Sequence, residues 1–125
     1  MKHCISTPKA PAAIGPYSQA VQAGNLLFLS GQLGIDPATG DFVPGQVTEQ
    51  TEQIFKNIQA LLNEAHLTLD QVVKTTVFLA DMTDFAAMNA VYGRYFTPPY
   101  PARSAVAVKT LPKNGRVEIE VIAAV

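Results

Sequence analysis

The sequence predicts an α+β fold: one sheet carrying two helices on the same face. Two observations predict it. The spacing of apolar residues changes at Val47 from strand-like runs to a three-and-four repeat, and the elements run two or three strands, helix, strand, helix, two strands. A third observation concerns the face the helices leave bare. Only 15% of the 125 residues are charged, against roughly 25% in an average globular domain. That face is therefore expected to lie against another copy of the chain. The alternative is a neutral polar surface rich in Gln, Asn and Thr.

In chain order, "HCIS" is a short strand and "APAAIGP", residues 10–16, an ordered loop with two prolines bracketing a glycine. "YSQAVQAG" and "NLLFLSGQLG" are two strands joined at Gly24-Asn25, and "DPATGDFVPG" is turn chemistry. Val47, Thr51, Ile54, Phe55, Ile58, Leu61, Leu62 and Ala65 mark one face of a helix running to about His66. "VVKTTVFLA", residues 72–80, reads as a buried strand. Asp81 or Thr83 caps a second helix with Phe85, Met88, Tyr92, Tyr95 and Phe96 on one stripe, and Pro98, Pro99 and Pro101 end it. "SAVAVKTL" is a buried strand, "PKNGR" a turn and "VEIEVIAAV" the last strand. Residues 1–125 form one domain.

Composition narrows the function. The formal net charge is −1 and the basic residues are scattered, so nucleic acid is not expected as a main partner. Neither a signal peptide nor a membrane-spanning run is visible, and the single Cys4 cannot form an internal disulfide. A cytoplasmic protein that does not engage the membrane is the expectation. One cysteine and two distant histidines, His3 and His66, make no metal site. His66, at a helix C-terminus, suits the dipole there as an imidazolium.

Two features remain. Arg103 stands at a strand entrance beside Ala102, Ser104 and Ala105. Its guanidinium either grips a ligand carboxylate through two hydrogen bonds or pairs with a glutamate. In "RVEIE", alternation puts Glu118 and Glu120 on one face and Val117, Ile119 and Val121 on the other. Two such carboxylates are either a solvated face or a reactive one.

"PARSAVAVKTLPKNGRVEIE" resembles the signature of the RidA family, also called YjgF or reactive intermediate deaminase. "APAAIGPYSQAV", "FLSGQLGIDPATG" and "VVKTTVFLADMTDFAAMNAVYGRYF" resemble the same family in order, so the resemblance spans nearly the whole chain. It implies a chorismate-mutase-like fold and a homotrimer around a central barrel-like core, with ligand clefts between subunits. It also implies hydrolysis of 2-iminobutanoate and 2-iminopropanoate to 2-oxo acids and ammonia, which protects pyridoxal-phosphate enzymes, with no cofactor or metal.

By this resemblance the carboxylate-gripping arginine is Arg103, the acidic residue Glu118 and the loop tyrosine Tyr17. Ser30, Gly31 and Asn89 complete the set. Ala105 stands where relatives often have cysteine, so thiol-dependent behaviour is expected to be absent. Tyr17 is either a packing residue or a chemical one, and Asn89 by itself reads as an exposed helix residue. Tyr92 and Tyr95 are assigned to the core, and Glu120 to a supporting or surface position, paired with Arg116 or with a neighbouring subunit. The alternatives are a non-catalytic binder of small carboxylates that regulates a partner and, less favoured, an endoribonuclease or translation inhibitor.

Overall fold

The computed structural model describes residues 1–125. Six strands form one mixed sheet, and both helices pack on the same face of it. Strands β1 (Lys2–Ile5), β2 (Ala20–Ala23) and β3 (Leu26–Leu33) make an antiparallel meander. Its tight turn uses Gly24 at φ 60°, a conformation glycine adopts without steric cost. The last strand, β6 (Val117–Ala124), lies between β3 and β4 (Val72–Leu79) and is antiparallel to both. Beyond β4 lies β5 (Ala102–Ala107), parallel to β4 at the free edge. A parallel pair needs a crossover; here it runs through helix α2 (Phe85–Tyr95).

Helix α1 (Val47–Glu64) buries the predicted stripe. Ile54, Phe55, Ile58, Leu61 and Leu62 are wholly out of water, each contributing roughly 2 kcal/mol of transfer free energy. At its N-terminus the Gln46 backbone N–H donates to Glu49 Oε1 at 2.8 Å. That bond holds the Glu49 carboxyl below its ordinary range. The helix ends at Glu64, short of the expected His66, which lies exposed beyond the cap at φ 61°. Phe55 locks α1 to α2 by stacking on Tyr95 at 4.5 Å and meeting Tyr92 and Phe96 edge-on. Of the two predicted caps, Asp81 serves: its Oδ1 accepts from the Thr83 N–H at 2.9 Å and starts a 3-10 turn leading into α2.

Alternation sorts the sheet residues. Leu27, Leu29, Thr75, Val77, Leu79, Val117, Ile119, Val121 and Ala123 are buried beneath the helices. Phe28, Phe78, Glu118, Glu120 and Ile122 take the bare face, where Phe28 is left exposed. Two expectations are corrected. Strand β4 is buried only at alternate positions, because one of its faces is bare. Strand β5 is exposed at every residue except the half-buried Ala105, because it occupies the sheet edge and only β4 flanks it.

Candidate active site

Four of the seven predicted site residues meet at one cavity of about 520 Å³: Tyr17, Ser30, Gly31 and Glu118. A β-bulge builds it. Leu29 pairs with Val121 and Gln32 with Ile119, so Ser30 and Gly31 together face Glu120 alone. The extra residue brings Gly31 beneath the Glu118 side chain. A Cβ on Gly31 would lie 2.6 Å from Glu118 Oε2, so only glycine admits the carboxylate there. No hydrogen bond to the protein engages that carboxylate. Burial first, then the charge of Glu120, raise the Glu118 carboxyl above the ordinary glutamate range.

Tyr17 comes from the loop before β2, since that strand starts at Ala20, later than the sequence suggests. The loop is held by Gln19, a buried residue the sequence reading passed over. Gln19 Nε2 donates to the carbonyls of Thr7, Ala10 and Pro11, while its Oε1 accepts from the Thr7 N–H. The Ser30 hydroxyl donates to the Ser18 carbonyl at 2.6 Å and the Ser30 N–H to the Gln19 carbonyl at 3.0 Å. Ser30 therefore ties the bulge to the Tyr17 loop. The loop after β3 is anchored by Asn57, wholly buried on α1, which donates to the carbonyls of Leu33 and Ile35.

Arg103 and Asn89 lie together at a second cavity of about 460 Å³, lined also by Tyr92 and Tyr100. Arg103 Nη1 donates to Asn89 Oδ1 at 2.7 Å. The guanidinium carbon stands 4.6 Å from the Tyr92 ring centre and 5.4 Å from that of Phe85. Arg103 forms no ion pair with either glutamate. The pairing of Glu120 with Arg116 is also corrected. Arg116 is bound to Asp84 through Nε at 3.1 Å and Nη2 at 2.7 Å, and to Gln46 through Nη1 at 2.8 Å. Both acceptors lie on the helix side, and strand alternation points Glu120 the other way.

The same alternation separates the two groups. Thr75 is flanked by Arg103 on β5 and Val121 on β6, and Thr75 and Val121 are buried under the helices. Phe78, three residues on, is flanked by Val106 and Glu118. In-register neighbours share a face and odd steps change it. Arg103 thus belongs to the helix side of the sheet and Glu118 to the bare side. Ala105 shares the parity of Arg103, pairs with Val77 and packs against the core. Within one chain the predicted residues form two half-sites on opposite faces.

Comparison with known proteins gives this arrangement a context. A family described as Endoribonuclease L-PSP matches residues 7–125. The chain is 54% identical over 123 residues to the 2-iminobutanoate/2-iminopropanoate deaminase of Capra hircus, covering 98% of this chain and 90% of that one. It is equally identical, again over 123 residues, to a RutC family protein of Pyrococcus horikoshii, with 98% of each chain covered. The crystal structure of RidA from Psychrobacter sp. superposes with a TM-score of 0.94 at 50% identity, over 98% of this chain and 99% of that one. Two helices on a mixed six-stranded sheet match the fold of that RidA structure, and the chain belongs to the Endoribonuclease L-PSP family, that is, the YjgF/RidA family.

Proposed function

We propose that this protein hydrolyses 2-imino acids such as 2-iminobutanoate and 2-iminopropanoate to 2-oxo acids and ammonia, in clefts shared between subunits of a homotrimer. One observation carries the reading. An arginine with an asparagine, and a glutamate with a bulge and a tyrosine, each line an incomplete cavity on opposite faces of a sheet whose bare face exposes Phe28 and Val106. Packing bare faces around an axis covers that apolar surface and sets one chain's Arg103 half against its neighbour's Glu118 half. Relatives more than half identical carry the deaminase name, which supports the same reading.

The chemistry needs little. A protonated imine carbon is already electrophilic. Arg103 holds the substrate carboxylate with the donors that Asn89 leaves free, and so fixes the imine carbon in place. Glu118 orients a water and accepts its proton as the oxygen bonds to that carbon. A proton passes to the nitrogen of the resulting carbinolamine, the C–N bond breaks, ammonia leaves and the carbonyl forms. A glutamate raised above its ordinary range is a better base for this step than a fully solvated one. Tyr17, Ser30 and Gly31 line the same cavity as Glu118 and complete the cradle around the substrate.

The test couples a threonine dehydratase to this protein and follows 2-oxobutanoate while semicarbazide competes for the imine. The wild type accelerates oxo-acid release, and Arg103→Ala, with its fold retained by circular dichroism, loses at least about 100-fold of that acceleration. Full acceleration by the alanine variant sinks the proposal.

A further inference from the structure

We infer that Tyr92 is a positioning residue for Arg103: its ring face sets the plane in which the guanidinium meets a substrate carboxylate. This rests on the proposed role of Arg103. The side chain of Arg103 is exposed on an edge strand, where a long flexible chain would sample many rotamers. Its one hydrogen bond to the protein, from Nη1 to Asn89, fixes a single corner of the group. A plane needs a second constraint, and the Tyr92 ring supplies it at 4.6 Å from the guanidinium carbon.

The platform is itself held rigid. Tyr92 is 6% exposed and its hydroxyl lies 2.7 Å from Thr75 Oγ1, which is fully buried. Thr75 is also the register partner of Arg103 on the neighbouring strand. The tyrosine tip is therefore tied to the row of the sheet that carries the arginine. Phe55 abuts the ring edge-on at 5.7 Å and Phe96 lies tilted against it at 4.8 Å, so packing also holds the ring that the cation stands over. A fork oriented before the ligand arrives loses less freedom on binding, and the gain appears as affinity. The ring acts on the guanidinium that grips the carboxylate, so its effect belongs to binding rather than to the chemical step.

The experiment measures turnover in the coupled assay and binding of 2-oxobutanoate by calorimetry, for wild type, Tyr92→Met, Tyr92→Phe and Arg103→Ala. Methionine keeps apolar bulk without a ring face, and Tyr92→Leu replaces it should the methionine chain not fold. The expected result for Tyr92→Met is about a 10-fold weaker oxo-acid affinity and a matching rise in KM, with kcat within about 3-fold. Tyr92→Phe restores affinity to within about 2-fold, although it too loses the hydroxyl bond to Thr75. Wild-type affinity in Tyr92→Met while Arg103→Ala has lost binding overturns this inference alone. So does a phenylalanine variant as weak as the methionine one. Wild-type affinity in Arg103→Ala overturns the role of Arg103 and this inference with it.

Discussion

Glu118 is where one residue's environment and its proposed task can be read against each other. Its carboxyl is pushed up by burial and by Glu120, so its charged form is the disfavoured one in the folded chain. The unfolded chain releases this proton at the ordinary glutamate pKa, and the folded chain holds it to a higher pH. Between those two pKa values the native state binds more protons, so its stability falls as pH rises, and the full penalty persists above the upper one. Glu118→Gln removes that penalty. Urea melts should show the variant more stable than wild type at about pH 7 and level with it below about pH 4, where both states are protonated. In the coupled assay the same variant should keep oxo-acid binding and lose turnover, together with the acidic limb of the wild-type pH–rate profile. Turnover retained in Glu118→Gln would show that Glu118 is not the base, whereas oxo-acid binding without turnover in the wild type itself would favour a carboxylate-binding regulator, since such a protein needs Arg103 but no base. On the proposed reading, residue type and position trade stability for reactivity at one side chain, held over a glycine whose Cβ would displace it.

Elements decide how much of this can be read from sequence alone. The period of α1 and the alternation of β6 are local, so both are legible, down to the opposed faces of Glu118 and Ile119. Strand β5 is different. An Ala/Val run reads the same at the centre of a sheet as at its edge, and strand order decides which it is. That order depends on the crossover through α2, which no local pattern reports. The Arg103–Asn89 bond spans the same crossover, so only the family resemblance singles out Asn89 in the sequence. The bulge at Ser30–Gly31 is a mismatch between two strands and is invisible in either alone. Gln19 shows the same limit, since a polar residue in a strand-like run gives no hint that it holds three carbonyls of the loop leading up to it. Gln19→Leu fills similar space but leaves those carbonyls and the Thr7 N–H without their partner, at about 1–3 kcal/mol for each group that stays buried. The loop carrying Tyr17 should then loosen. Hydrogen exchange at residues 7–17 should rise and kcat/KM should fall about 10-fold or more, while exchange in α1 stays as in wild type. Unchanged exchange in the loop would show that Gln19 is not its anchor.

At the scale of the whole molecule, two half-sites on opposite faces of one sheet make a sharper demand than any single substitution. If catalysis needs Arg103 from one copy and Glu118 from the next, chains disabled at different halves must rescue each other. Arg103→Ala and Glu118→Gln homotrimers each contain only broken clefts. In a ring of three with mixed chains, one of the three interfaces sets an intact Arg103 against an intact Glu118. Random co-assembly of equal amounts makes about three-quarters of the rings mixed, so about a quarter of all clefts are whole, by counting on a closed threefold ring. Co-expressed variants should therefore recover about a quarter of wild-type turnover per chain, whereas separately folded variants mixed without subunit exchange should recover almost none. Sedimentation of the co-expressed sample should give one trimeric species. A site complete within one chain predicts no recovery under either protocol, whereas a dimeric ring of shared clefts predicts the same quarter, so sedimentation is the measurement that separates it from the trimer. The bare sheet face, the low charge content and the divided site then become one property, because the contact that covers Phe28 and Val106 is the contact that completes the cleft.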